Sequence, residues 1–344
     1  MFRPKYTITN KLLSQIKQVN SLVIRLNQQR FPSLVLGEFE KIARAVSAFA
    51  STSIEGNPLP LTEVKKILKS KPEHIRESEK EVLNYNNALA DLNRKLKSSK
   101  AQLSTKLILK IHKQVTQNLL PEYQSGQLRQ QPVIINDPKT KKVVFLPPDV
   151  KDVEKLVKEL IEFVKDNQSK IDPLIIAGVF HKQMVVIHPF MDGNGRTTRL
   201  ATKLLLAKLG LNTFNLFSFE NYYNQNITRY FKTVGERGDY YDPGKKTDFT
   251  IWLEYFTEGI IDELLRIEKL LPRIGFSPDT QIKPFHQKIL EHIQKNNFIT
   301  DKDYAKLVKR AKATRALDFQ KLIKLGLISR RGKGKLTFYI LKEF

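Results

Sequence analysis

Cysteine is absent from this 344-residue chain. That absence excludes a disulfide framework, a zinc–thiolate centre and a cysteine nucleophile together. It also suits a reducing compartment, and the cytoplasm is the expected location. No stretch nears the roughly 20 apolar residues that cross a bilayer. The opening residues, Met1-Phe2-Arg3-Pro4-Lys5, lack the apolar run of a signal peptide, so no membrane partner is expected. Acidic residues are scarce beside basic ones: 35 Asp plus Glu against 59 Lys plus Arg, a net charge of +24. Such a surplus favours an anionic partner, whether nucleic acid, nucleotide or acidic protein, although solvated lysine-rich helix faces account for it equally well. Internal repeats and low-complexity tracts are also missing. What is present is ordinary for a globular chain, 41% hydrophobic and 27% charged, with length for two or three domains.

Apolar residues recur at helical spacing over 8–30, 38–56, 61–69, 75–97, 104–118, 150–166, 172–187, 195–209, 219–236 and 247–271. The interval 121–150 differs. Six prolines and glycines punctuate it, and two β-like runs, Pro132–Asn136 and Lys142–Leu146, flank Asp137-Pro138-Lys139-Thr140-Lys141. That is a hairpin pattern. A Pro- and Gly-bearing linker is expected at 272–282. The division read from the sequence is therefore an N-terminal helical region (1–100), a core (101–271), the linker, and a C-terminal domain (283–344).

The densest chemistry lies in His188-Pro189-Phe190-Met191-Asp192-Gly193-Asn194-Gly195-Arg196-Thr197-Thr198-Arg199. Gly193, Asn194 and Gly195 tolerate left-handed backbone angles. A turn of that kind points successive N–H groups into an anion-binding concavity, and the helix that follows adds its N-terminal dipole. Arg196 and Arg199, three apart, place two guanidinium forks on one helix face. Asp192 is a hard oxygen ligand suited to Mg²⁺ shared with phosphates. His188 is the one side chain of the run whose unperturbed pKa lies near neutrality, and Phe190 is expected to anchor the loop in the core.

This run resembles the Fic family signature, H-x-F-x-[D/E]-G-N-G-R-x-x-R, at every fixed position. The preceding Ala177–Ile187, with a structural His181, is similar to the family's lead-in helix, and Gly126-x-x-Arg129 before the hairpin fits the family layout. The resemblance implies a mainly α Fic-fold bundle with a β-hairpin flap. It implies transfer of AMP from ATP to a Ser, Thr or Tyr hydroxyl of a target protein. His188 would be the base and Asp192 the Mg²⁺ ligand. Gly193, Asn194, Gly195 and Arg196 would hold the α- and β-phosphates, and Arg199 the γ-phosphate. The flap, through Val133, Ile134 and Ile135, would clamp target main chain by strand addition. Asn226 and Tyr230, in a stretch similar to the family's N-x-x-x-Y-Y, are candidates for base contact, with Phe231 departing from that pattern.

Ser51-Thr52-Ser53-Ile54-Glu55-Gly56 resembles the family's inhibitory motif, which implies that Glu55, supported by Ser51, occupies Arg199 and holds the enzyme off. Some relatives use this Glu to remove the modification, so removal of AMP, or transfer of UMP or phosphocholine, is the alternative within the enzyme class. Residues 283–344 hold 16 Lys plus Arg and five Asp plus Glu. Three helical patterns (284–295, 301–309, 312–325) followed by a strand–turn–strand bearing Arg330, Arg331, Lys333 and Lys335 form a winged-helix pattern. DNA is one partner it fits; a docked protein or a second copy in a homodimer is the other. A DNA-associated regulator whose core senses nucleotide is the rival to the enzyme.

Overall fold

A computed structural model describes residues 2–28, 33–70, 75–97, 102–137, 140–208, 210–211, 215–242, 247–270, 283–325 and 327–342. The architecture is mainly α, as the helical periodicity predicts. The elements run α1 (Asn10–Asn27), α2 (Ser33–Ile54), α3 (Leu61–Lys69), α4 (Glu77–Lys97), α5 (Thr105–Val115), β1 (Ile135–Asn136), β2 (Val143–Leu146), α6 (Val150–Asn167), α7 (Pro173–Ile187), α8 (Asn194–Lys208), α9 (Glu220–Gln225), α10 (Ile227–Val234), β3 (Gly238–Asp239), α11 (Thr250–Leu270), α12 (Pro284–Asn296), α13 (Asp301–Leu307), α14 (Lys312–Lys324), β4 (Ile328–Arg331) and β5 (Phe338–Leu341). Among the described residues no helix is long and apolar enough to cross a membrane.

Two compact units result. One is Met1–Ile24 with Ile42–Leu265, the other Arg25–Lys41 with Arg266–Phe344. Packing does not follow the division expected at residue 101, because α4 lies against both α5 and α8.

The first unit is built around α7. Asp172 caps it, its Oδ1 accepting from the Leu174 N–H at 2.8 Å, and Pro173 stands in the first turn, where its missing N–H costs nothing. From Leu174 to Ile187 every residue except Val185 is buried. A helix apolar all round belongs inside a bundle, and α6 and α8 cover it. Gly178 lets α11 close in: a Cβ there would meet Leu253 Cδ2 at 2.6 Å, and Trp252 Nε1 donates to the Gly178 carbonyl at 2.7 Å. The polar exceptions are paired. His181 holds Thr202 Oγ1 and Tyr230 Oη at 3.1 and 3.0 Å, and Lys182 meets Glu236 at 2.9 Å. A second buried cluster fixes the C-terminal half of α2. Lys203 Nζ donates to Ser47 Oγ (2.7 Å) and pairs with Glu220 (3.3 Å), which accepts from Tyr85 Oη at 2.6 Å.

The expected hairpin forms, but its first strand covers only Ile135–Asn136, leaving Val133 and Ile134 outside it. β1 pairs antiparallel with β2, Ile135 opposite Phe145, and β2 pairs parallel with β3. The short β3 was not read from the sequence, since two residues carry no alternation. The helix expected over 219–236 is broken at Asn226, whose φ of −128° and ψ of 42° end α9 before α10 begins.

In the second unit α12, α13 and α14 precede the antiparallel β4–β5 hairpin, joined by a bridge from Ile299 to Tyr339. Its core gathers Ile289, Ile293, Tyr304, Phe319 and Leu322, with Phe319 stacked on Tyr339 at 3.9 Å. Thr300 and Asp303 form a capping box that starts α13. The linker expected at 272–282 lies outside the described residues.

Candidate active site

Four helices converge on the 188–199 segment: α2 and α4 from one side, α5 from another, and α7 leading in. α7 stops at His188, whose φ of 49° and ψ of 61° are left-handed. That conformation is uncommon for a side chain with a Cβ and clusters at functional sites. The His188 Nδ1 lies 3.3 Å from the Val185 carbonyl. A carbonyl only accepts, so Nδ1 carries the proton and Nε2 of the neutral ring keeps a lone pair. Burial lowers the His188 pKa from its usual value; the Val185 bond and Glu55 oppose the shift without cancelling it. The backbone here is held by Arg129, nearly fully buried. Its Nε donates to the His188 carbonyl (2.9 Å), its N–H to the Pro189 carbonyl (2.9 Å), and its guanidinium also bonds the Pro148 carbonyl at the base of the flap.

The loop closes on itself. Phe190 N–H donates to Asn194 Oδ1 at 2.9 Å, and Asn194 Nδ2 donates to the Phe190 carbonyl at 2.8 Å. The Asn194 side chain is thus buried and committed to the turn, which leaves its backbone N–H as the group that can face an anion. Its backbone N–H, with those of Gly195 and Arg196, belongs to the first turn of α8 and has no intrahelical partner. Gly193 has a φ of +75°, as expected of the turn. Gly195 does not need left-handed angles; it needs space. A Cβ there would lie 1.9 Å from Glu55 Oε1 and 2.8 Å from Arg199 Nη1. A carboxylate therefore rests directly on the glycine turn.

That carboxylate is tied to the signature. Arg199 is completely buried; its Nη2 donates to Glu55 Oε1 at 2.6 Å and to the Ser51 carbonyl at 2.8 Å, and its Nε donates to Ser51 Oγ at 2.7 Å. Burial works against the Arg199 charge, but the pull of Glu55 outweighs it and raises the guanidinium pKa. Arg199 Nη1 is buried without a partner, as is Arg196 Nε. Arg196 donates from Nη2 to Asp192 Oδ2 at 2.8 Å and from Nη1 to Glu81 Oε1 at 3.1 Å. Asp192 is 58% exposed. Tyr230 is enclosed against His181 and Tyr223 and lies beside Arg199; only 1% of its surface is exposed. Asn226 Nδ2 donates to the Tyr222 carbonyl at 2.9 Å.

Two residues of the site were not read from the sequence. Glu81 is one acid among several on α4, with no motif around it. His112 of α5 stacks on Phe190 with ring centroids 3.8 Å apart. Its Nδ1 accepts from the Gly126 N–H at 2.9 Å, so Nε2 carries the proton and donates to the Asp192 carbonyl at 2.9 Å. Burial pushes its pKa down to about 4. Its spacing is that of an ordinary core position, and only the fold brings it to the loop.

The 188–199 segment lies within a stretch that resembles known proteins. The pattern of the Fic/DOC family matches residues 102–206. Protein adenylyltransferase fic-1 of Caenorhabditis elegans is 32% identical over 168 residues, 47% of this chain and 31% of the relative. Protein adenylyltransferase Fic of Nematostella vectensis is 30% identical over 166 residues, 47% of this chain and 37% of the relative. The chain thus spans about a third of the length of these relatives. In fold, a Fic family protein from Desulfovibrio desulfuricans G20 superposes with a TM-score of 0.68 at 19% identity, covering 99% of this chain and 98% of the other. Fic-1 of C. elegans superposes with a TM-score of 0.58 at 21% identity, covering 75% and 72%. Residues 102–206 are thus the part of this chain that matches the Fic/DOC family.

Proposed function

We propose that the protein transfers AMP from ATP to a hydroxyl side chain of a target protein and is held off by Glu55. The hydroxyl oxygen attacks the α-phosphorus, the bond to the β-phosphate breaks, pyrophosphate leaves, and the hydroxyl proton passes to His188 Nε2. The observation that carries this reading is the seat of Glu55 Oε1, on the Gly195 turn and 2.6 Å from Arg199. An anion site is occupied by a tethered anion, next to a histidine with one free lone pair. The triphosphate would replace the carboxylate, with the N–H groups of Asn194, Gly195 and Arg196 on the α- and β-phosphates and Arg199 on the γ-phosphate. Ser51 would hold Arg199 in both states.

Among the described residues no three metal-ligating side chains cluster. That suits Mg²⁺, which takes one or two carboxylates and fills its shell with phosphate oxygens and water. The exposed Asp192 fits as that carboxylate, and the bound cation would offset phosphate charge. A target chain would add at the outer edge of β1, where Val133, Ile134 and Ile135 lie, because β2 already has β1 and β3 on its two sides. Asn226, at the break between α9 and α10, remains the base-contact candidate, with Tyr230 supporting Arg199 from beneath. Removal of AMP from the same hydroxyl would instead require Glu55, so Glu55→Gly separates the two directions. ATP labelled at the α-phosphate tests the reaction: the Glu55→Gly protein should retain that label on protein, and none from γ-labelled ATP. Retention of the γ-label would make it a kinase-like transfer and refute the reading.

The second unit supports a second partner. We read it as a winged helix whose exposed Arg330, Arg331 and Lys333 on β4 and the following turn meet nucleic-acid phosphates. Arg315 of α14 is held by Asp301 at 2.8 Å, while Lys312 and Lys324 of the same helix are exposed beside Ala313, Ala316, Leu317 and Gln320. The hairpin, together with these two lysines, would supply affinity.

A further inference from the structure

Arg196 is 2% exposed and shared by two acids from different elements, Asp192 of the loop and Glu81 of α4. Glu81 is itself held from its other side. Its Oε2 accepts from Asn57 Nδ2 at 2.6 Å. Asn57 follows Glu55 by two residues, and its position is set by three further bonds: its N–H to the Thr52 carbonyl at 3.1 Å, its Nδ2 to the Ser78 carbonyl at 2.8 Å, and its Oδ1 from the Leu59 N–H at 3.1 Å. Both groups facing Glu81 are donors. A carboxylate accepts from both at once, whereas a glutamine must turn its own N–H₂ toward one of them.

We propose that Glu81 is a positioning residue that keeps Arg196 available to the nucleotide's diphosphate by preventing it from closing completely on Asp192. The inference deepens the proposed function and rests on Asp192 as the Mg²⁺ ligand. With Glu81 in place, Arg196 gives Asp192 one nitrogen and Glu81 another. Without it, a buried guanidinium left with one acid forks onto that acid with two parallel bonds. Asp192 Oδ1 already accepts from the Gly193 N–H at 2.5 Å, so a second guanidinium bond leaves the carboxylate little room for a cation, which must then compete with a stronger ion pair. Charge-assisted bonds of this kind are worth about 1.5–3 kcal/mol, which corresponds to roughly ten- to hundredfold in an equilibrium constant.

The test compares Glu55→Gly with Glu55→Gly/Glu81→Gln, titrating ADP by calorimetry across a series of Mg²⁺ concentrations. The half-saturating Mg²⁺ for ADP binding should rise by about tenfold or more, with affinity largely restored at high Mg²⁺. Glu81→Asp, which keeps the charge on a shorter stem, should restore part of the shift. A Glu81→Gln protein with the parent's Mg²⁺ dependence overturns the proposal. So does a loss of ADP affinity equal at every Mg²⁺ concentration, which would make Glu81 merely structural. If Glu81→Gln fails to fold, Glu81→Asp decides: an unshifted Mg²⁺ series there overturns the proposal. A parent that binds ADP yet never retains α-label would refute AMP transfer while leaving this comparison valid. A parent that binds no ADP would overturn both.

Discussion

His112, His181 and His188 all sit where burial disfavours a charged ring, and their partners separate their roles. His181 is closed off by Thr202 and Tyr230 on its two nitrogens, so it holds α7 to α8 and α10. His112 uses both nitrogens to brace the Asp192 carbonyl against Gly126. His188 alone keeps a lone pair uncommitted among the bonds that fix it. The lowered pKa of His188 has a signed consequence. The ring is protonated only below the usual imidazole range, so the acid limb of kcat/KM for labelling by Glu55→Gly should fall below about pH 6.5. A limb centred well above that value would contradict the base assignment. For His112 the shift acts on stability. Its folded pKa of about 4 lies below the usual 6.5, so the unfolded chain binds the proton more readily. Stability is complete above about pH 6.5, declines as pH falls through that window, and reaches its full loss, about 3 kcal/mol, below about pH 4. Thermal melts of His112→Gln across that range should lose that part of the pH dependence, starting from a lower melting temperature at pH 7.

At the scale of elements, the contact that governs the site is α2 against the first turn of α8. Gly195→Ala places a methyl where Glu55 Oε1 now lies. It should destabilise the otherwise unchanged protein by about 1–3 kcal/mol, and by clearly less in the Glu55→Gly background, because two of the three atoms in its way are gone. Chemical denaturation of the four proteins measures the coupling; equal costs in both backgrounds would mean Glu55 does not rest on the turn. This part was legible in the sequence for a definite reason. The signature packs the base, the turn and both arginines into twelve residues, and local spacing carries it. The helices were legible from periodicity to within about a turn at their ends, apart from the break at Asn226 that divides the expected 219–236 helix. Glu81, His112 and β3 were not, because each acts through a partner far along the chain and sits in a pattern that any helix or loop would show. The two bonds of the Asn194 amide to Phe190 were not legible either, because an amide beside glycines shows no partner in one dimension.

The whole molecule divides its charge as well as its packing. The C-terminal residues 283–344 carry a large share of the basic surplus, while the residues proposed to hold the nucleotide's phosphates all precede them. If the hairpin binds DNA, affinity falls with salt at a log–log slope of about −0.9 per phosphate neutralised. Replacing Arg330, Arg331 and Lys333 with glutamine in the full chain should then flatten the slope by up to about three units. A gel-shift titration at several salt concentrations reads it, and an unchanged slope would assign the unit to protein contact. The catalytic claim is tested most directly by one comparison, α-labelled ATP and Mg²⁺ with the unmodified protein, Glu55→Gly and Glu55→Gly/His188→Ala. Strong labelling by Glu55→Gly alone, with the other two near background, is the predicted result. Labelling by the double variant equal to that of Glu55→Gly would contradict the account.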